Sequence, residues 1–242
     1  ENVFKENKID VVIHFAAYKA AGESMTDVVK YSNNIKGTIN LLDCMVKYHV
    51  NKIIYSSTAA VYGYPEYLPV DENHPTKPIN YYGFSKLVCE NLIDWYSKIY
   101  GINYVSLRYF NVAGDVGFNY IDPEANNIFP VVMEVISGKR EKFIVFGDDY
   151  NTRDGAAIRD FIHVEDITQA HISALKKIDE CAGEIFNLGS EKGFSVKEII
   201  NKASVIIGRE IPIKNVEKRE GDIKVSVATA AKAKNILGWN PK

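Results

Sequence analysis

Tyr82 and Lys86 lie four residues apart in the segment Tyr82-Gly83-Phe84-Ser85-Lys86. On a helix that spacing puts both side chains on one face, about 5–6 Å apart at Cβ. A phenol, with an ordinary pKa of about 10, is a poor base near neutrality. An ammonium beside it favours the phenolate and lowers that pKa. The pair is therefore expected to act as a general acid/base, taking a proton from a hydroxyl and later returning it. The spacing alone carries little weight, because the chain holds 15 tyrosines and many lysines, most of which are structural or solvated in any protein. A second copy, Tyr48 and Lys52, spans the end of one predicted helix and the start of a strand, so its side chains need not share a face. Tyr82 instead opens an amphipathic run over 82–100, with Leu87, Cys89, Leu92, Ile93, Tyr96 and Ile99 at helical spacing.

The elements that must position this pair alternate. Residues 10–17 are an apolar run, the signature of a strand covered on both faces in a parallel sheet. A helix is expected over 34–48 and a strand ending in small hydroxyl residues over 51–57. A turn-rich loop with Pro65, Pro69, Pro75 and Pro78 covers 64–80, and after the helix of Tyr82 a third strand is expected over 103–110. This alternation predicts an α/β fold, a doubly wound parallel sheet with right-handed crossovers. Past Asn111 comes a long loop with glycines, Asp115 and Pro123, then a helix near 129–138, a strand over 142–146, a helix over 165–177, a strand over 184–188 and a helix over 195–207. Residues 1–112 are expected in the sheet domain, and 113–242 mainly in a smaller α/β substrate-binding lobe with some segments returning to the sheet.

Composition narrows the function. The 242 residues are 46% hydrophobic and 25% charged, as in ordinary globular proteins. A formal net charge of −2 gives no electrostatic case for nucleic acid or an anionic membrane. No apolar run approaches the roughly 20 residues that span a bilayer. Cys44, Cys89 and Cys181 are odd in number and far apart, so buried free thiols in a reducing cytoplasm are expected. The five His show no metal-ligand spacing, and no metal is expected.

Several segments, in order, carry a resemblance: Ile13-His14-Phe15-Ala16-Ala17-Tyr18-Lys19, Asn33-Asn34-Ile35-Lys36-Gly37-Thr38, Ser56-Ser57-Thr58-Ala59-Ala60-Val61-Tyr62-Gly63, the Tyr82/Lys86 pair, Leu107-Arg108-Tyr109-Phe110-Asn111, Arg159-Asp160-Phe161-Ile162-His163 and Arg219-Glu220-Gly221-Asp222. Across nearly its whole length the chain resembles the UDP-glucose 4-epimerases (UDP-galactose 4-epimerases), extended short-chain dehydrogenases/reductases with a Rossmann-like sheet. The resemblance implies a tightly held NAD, a UDP-sugar substrate and a 4-keto sugar intermediate. Tyr82 would take the proton of the sugar 4-hydroxyl, Lys86 would bind the nicotinamide ribose and hold Tyr82 ionised, and Thr58 would hydrogen-bond the reacting oxygen. Phe15, Ala16, Ala17, Lys19, Asn33 and Phe110 would join these three at the cofactor, with Asn33 at a helix start. Lys19, Asn111, Asn127, Phe146 (by the uracil), Asp222 (on the ribose) and Ser226 (by the hexose) would touch the substrate. Arg159 and Arg219 would fork onto its diphosphate, as guanidinium geometry favours. A homodimer through the helices beginning near Asn33 and Tyr82 is also implied.

The blander readings run beside these. Arg159 and Asp160 read as an ion pair, Phe110 and Phe146 as core, Asn126 and Asn127 as turn residues, and Thr58 as a strand-end hydroxyl. Position 58 is Thr where many members have Ser, and Ala59-Ala60 stand where sugar-nucleotide 4,6-dehydratases resemble Asp-Glu, which argues against dehydration. Ser226 falls where a bulky Tyr confines some members to unmodified hexoses, so the small residue resembles members that also take N-acetylhexosamines. A Gly-rich, pyrophosphate-cradling turn is expected to open such a sheet, yet the early glycines are only Gly22 and Gly37. The chain is accordingly expected to be a fragment, with about 60 residues upstream at roughly 30 per βαβ unit. The rival expectations are another NAD-linked sugar-nucleotide enzyme, such as a decarboxylase or 5-epimerase, and a non-catalytic fragment that retains a nucleotide-sugar site.

Overall fold

A computed structural model describes residues 1–118, 127–219 and 221–242. Pro123 and Asn126 of the expected loop, and Glu220 of the Arg219 segment, lie outside the described residues. The first half runs α1 (Asn2–Glu6), β1 (Val12–His14), α2 (Ala21–Ser24), α3 (Val28–Lys47), β2 (Lys52–Thr58), a 3₁₀ turn (Ala59–Val61), α4 (Tyr81–Tyr100), β3 (Asn103–Tyr109) and β4 (Asn111–Ala113). The second half runs α5 (Ile128–Ile136), β5 (Phe143–Phe146), β6 (Ile158–His163), α6 (Val164–Lys176), β7 (Glu184–Leu188), β8 (Gly193–Ser195), α7 (Val196–Ile207), β9 (Ile213–Val216), β10 (Val225–Ser226) and a π-helical turn (Ala233–Leu237).

The main sheet has the order β1-β2-β3-β7, all parallel. Its β2 and β3 are buried on both faces, with Ile53, Ile54, Val105 and Leu107 wholly enclosed. Burying each such side chain contributes roughly 1.5–3 kcal/mol. One face packs Leu42, Met45, Cys89 and Ile93 of α3 and α4. The other packs Ile167, Ala170 and Ala174 of α6 with Leu237 and Trp239. The helices begin where the sequence offers caps: the Asp27 carboxylate accepts the Lys30 N–H and the Asn80 amide oxygen accepts the Gly83 N–H. Gly101 ends α4 at φ +70°, a conformation that favours glycine.

A second sheet has β6 at its centre, paired with β10 and β4 in parallel and with β8 antiparallel, while β5 and β9 form a parallel pair. A separate core of Val132, Val135, Phe143, Val145, Ile200 and Ile211 holds α5, α7 and the β5–β9 pair together.

Some expectations are corrected. The strand expected over 10–17 shrinks to Val12–His14, and Ile13 is 40% exposed rather than covered, because β1 pairs only with β2 among the described strands. Helix α3 starts at Val28, not near residue 34, so Asn33 stands in its second turn rather than at a helix start. Cys44 is half-buried, whereas Cys89 and Cys181 are buried. Strands β4, β6, β8, β9 and β10 appear where loop was expected.

Candidate active site

The Tyr82 group forms where strand β2 runs out against helix α4. Strand β2 ends in Ser56-Ser57-Thr58, and three of the first ten residues of α4 face it. The Thr58 side chain accepts the Ala60 N–H at 3.2 Å and stands near enough to Tyr82 to favour its phenolate. The Lys86 Nζ, almost fully buried, donates to the Ser56 carbonyl at 2.6 Å and stands 4.8 Å from the centre of the Tyr55 ring. Thr58, Tyr82 and Lys86, the expected catalytic residues, thus lie together at the carboxyl ends of parallel strands, where open α/β sheets place their ligands.

Electrostatics corrects one expectation. Burial pushes the Tyr82 phenol above its ordinary value, with the Thr58 side chain pulling the other way, and Lys86 does not lower it. The reason is geometric: the ammonium is directed at the Ser56 carbonyl. Burial also pulls Lys86 down to about 8, against the nearby Cys89 and Glu90, which favour its charge. His14, at the end of β1, is held near 4 first by burial and then by the Lys86 charge, and its Nε2 meets the Thr38 hydroxyl at 3.0 Å.

Beside this group a cavity of about 730 Å³ is lined by His14, Phe15, Ala16, Ala17, Tyr18 and Asn33, among others. The two alanines leave room for a ligand to approach the backbone, and Phe15 is 57% exposed with its ring tilted against that of His171 at 4.8 Å between centroids. Four of the expected cofactor residues therefore share one wall. Lys19, in the same loop, is exposed. Phe110 is buried with Val61, Tyr62, Val70 and Ala228, so its side chain is placed in packing.

A second cluster forms on β6 and β10. Arg159 donates to Asp222 at 3.4 Å, and Arg219 to the same carboxylate at 3.2 Å. Two guanidiniums sharing one carboxylate leave one positive charge uncompensated, a fitting cradle for an anion. The Arg219 guanidinium also lies 4.3 Å from the centre of the Phe146 ring, and Ser226 pairs with Arg159 in register. The expected Arg159–Asp160 ion pair is not formed. Neighbours on a strand point to opposite faces, and buried Asp160 instead accepts from Ser190 N and Oγ, Glu191 N and Ala228 N. Asn111 and Asn127 are exposed, and the Asn127 side chain makes no capping bond to α5.

Three residues join the clusters. Thr58 pairs in register with Tyr109, and Asn111 pairs with Phe161, two positions from Arg159. The residues overlooked from sequence are Glu90, Arg108 and Tyr150. Glu90 follows Lys86 by four on the same helical face, and Arg108 is a charge inside an apolar strand, so both left a signal. Tyr150, whose buried hydroxyl has no hydrogen-bond partner among the described residues, left none.

A parallel sheet with a Thr–Tyr–Lys group at its strand ends, beside a cavity lined by small residues, places the chain among the dinucleotide-binding α/β enzymes. It belongs to the NAD dependent epimerase/dehydratase family, whose model matches residues 1–189. The chain is 44% identical over 248 residues to the UDP-glucose 4-epimerase of Streptococcus mutans, covering 99% of this chain and 74% of that one. It superposes on the UDP-glucose 4-epimerase of Bifidobacterium longum in complex with NAD⁺ and UDP with a TM-score of 0.93 at 41% identity, over 100% of this chain and 74% of that one. The UDP-Glc/GlcNAc 4-epimerase of Campylobacter jejuni gives 0.85 at 41% identity, over 100% and 75%. Among the described residues no helix is long and apolar enough to cross a membrane.

Proposed function

We propose that this chain is an NAD-dependent isomerase that interconverts UDP-glucose and UDP-galactose through a 4-keto sugar. The observation that carries the reading is Thr58 beside Tyr82, with Lys86 one turn further along α4 and bonded to the Ser56 carbonyl, at the strand ends of the sheet. The cavity suits the cofactor: Phe15, Ala16, Ala17 and Asn33 line it, and these, with Lys19, Thr58, Tyr82, Lys86 and Phe110, would hold NAD. When bound, NAD supplies a hydride acceptor that returns what it takes. Tyr82 removes the proton from the sugar 4-hydroxyl and restores it on the way back, while Thr58 shares the reacting oxygen. Burial that raises the phenol's pKa suits the acid half of that cycle. Arg159 and Arg219 fork onto the diphosphate, with Lys19, Asn111 and Asn127 completing its contacts. Phe146 stacks near the uracil and Asp222 turns to the ribose. Small Ser226 leaves space for an N-acetyl group, so UDP-GlcNAc and UDP-GalNAc are included as substrates.

On the same reading, residues 1–112 belong to the NAD-binding domain and 113–242 mainly to the substrate lobe, with β7 among the segments returning to the sheet. The protein works as a cytoplasmic homodimer. Val28 and Val29 of α3 and Phe84, Trp95, Ile99 and Tyr100 of α4 are exposed apolar side chains that support such a contact. The test is to heat-denature the purified chain, count the nucleotide released, and assay UDP-galactose turnover. About one NAD per chain with turnover supports the reading. UDP-sugar binding without NAD or turnover would leave a nucleotide-sugar-binding protein and sink the catalytic one.

A further inference from the structure

Three consecutive residues at the end of β2 each meet α4. The Ser56 carbonyl takes Lys86, Thr58 stands beside Tyr82, and between them the Ser57 Oγ donates to Glu90 Oε1. The middle rung is anchored from a third element. Arg108 of β3 donates from Nε to Glu90 Oε1 at 3.0 Å and from Nη2 to Oε2 at 2.6 Å, and both side chains are about 5% exposed or less. The remaining Arg108 donor reaches the Tyr62 hydroxyl at 2.9 Å, which in turn donates to Asn187 of β7 at 2.7 Å. A buried ion pair is a poor source of net stability, because desolvation offsets its attraction. This one is bidentate, buried and tied to the strand segment that carries Thr58.

We propose, on the functional reading above, that Glu90, clamped by Arg108, is a positioning residue that sets the spacing of Thr58, Tyr82 and Lys86 and keeps an anion beside the Lys86 ammonium. Other titratable groups facing Lys86 are Cys89 on α4, Tyr55 on β2 and His14 on β1; burial favours the neutral form of each. Glu90 is thus the near anion.

Ser57→Ala cuts the middle rung without uncovering a charge, and Glu90→Gln keeps the shape while removing the anion. In the holoenzyme, Ser57→Ala is expected to lower kcat about tenfold, a fraction of the roughly 100- to 10,000-fold that positioned acid/base groups supply, with KM for UDP-galactose unchanged. In Glu90→Gln the alkaline limb of kcat/KM moves to lower pH, because Lys86 then loses its proton sooner, and Glu90→Asp restores part of the shift. Amide hydrogen exchange is read alongside and is expected to quicken in residues 56–60 and 82–90 of both variants. Folded variants with unchanged kcat, pH profile and local exchange overturn the proposal, as does a lowered Tm with all three unchanged. If Glu90→Gln does not fold, Ser57→Ala decides alone. If the unaltered protein turns over no sugar nucleotide, the functional reading fails, while the exchange measurement still tests the positioning role.

Discussion

At the scale of single residues, the site depends on where two polar atoms point. Tyr82 and Lys86 were legible as a pair because four-residue spacing on a helix puts them on one face. Their electrostatic relation was not legible, since spacing does not reveal that the Lys86 ammonium turns to the Ser56 carbonyl. Burial raises the phenol's pKa, which on the proposed function favours the proton-returning half of the cycle. Tyr82→Phe removes the transferable proton with little change in shape. It is expected to reduce UDP-galactose turnover by roughly 100- to 10,000-fold while leaving the NAD released on denaturation unchanged. At the other end of the site, Ser226→Tyr is expected to abolish turnover of UDP-GlcNAc and spare UDP-galactose, as competition assays on the two sugars would show.

At the scale of elements, the start of α4 is seated on the 3₁₀ turn that follows Thr58. A Cβ added at Gly83 would lie 2.5 Å from the Ala60 carbonyl oxygen, backbone against backbone. Helix propensity alone favours Ala over Gly by about 1 kcal/mol, so the contact reverses the expected sign. Gly83→Ala should lower Tm and kcat together, because relieving the clash moves Tyr82 away from Thr58; a variant as stable and active as the parent would show that the turn yields freely. The long, periodic elements were readable to within a few residues, as α4 and β3 show. Strand β6 was not, because Arg159 and Asp160 break its apolar pattern, and Asp160 is buried only because four hydrogen bonds from Ser190, Glu191 and Ala228 satisfy it. Strands of two or three residues, such as β10 and β4, are fixed by partners distant in sequence and leave no local period.

At the scale of the whole molecule, acid should weaken the fold partly through His14. The folded state holds it near 4 whereas its ordinary value is 6.5. Between those values the unfolded chain binds the proton first, so stability falls as pH is lowered through this window and is unaffected by this group above it. The difference is worth roughly 3 kcal/mol. Urea midpoints measured from pH 7 down to pH 4 should show the slope, and His14→Asn should flatten it. The broad architecture was legible because hydrophobic runs set the parallel sheet, whereas the contact between the two clusters of the site rests on strand pairing that no local pattern announces. That contact runs through the three residues from Tyr109 to Asn111, pinned to β2 on one side and to β6 on the other. Neighbouring Cα atoms are about 3.8 Å apart, so the proton-handling end and the arginine end cannot separate without tearing a sheet. On the proposed function, the turning between the two halves of the cycle then falls to the ligand: a sugar swivelling on a phosphate axle set in a frame tied at both ends.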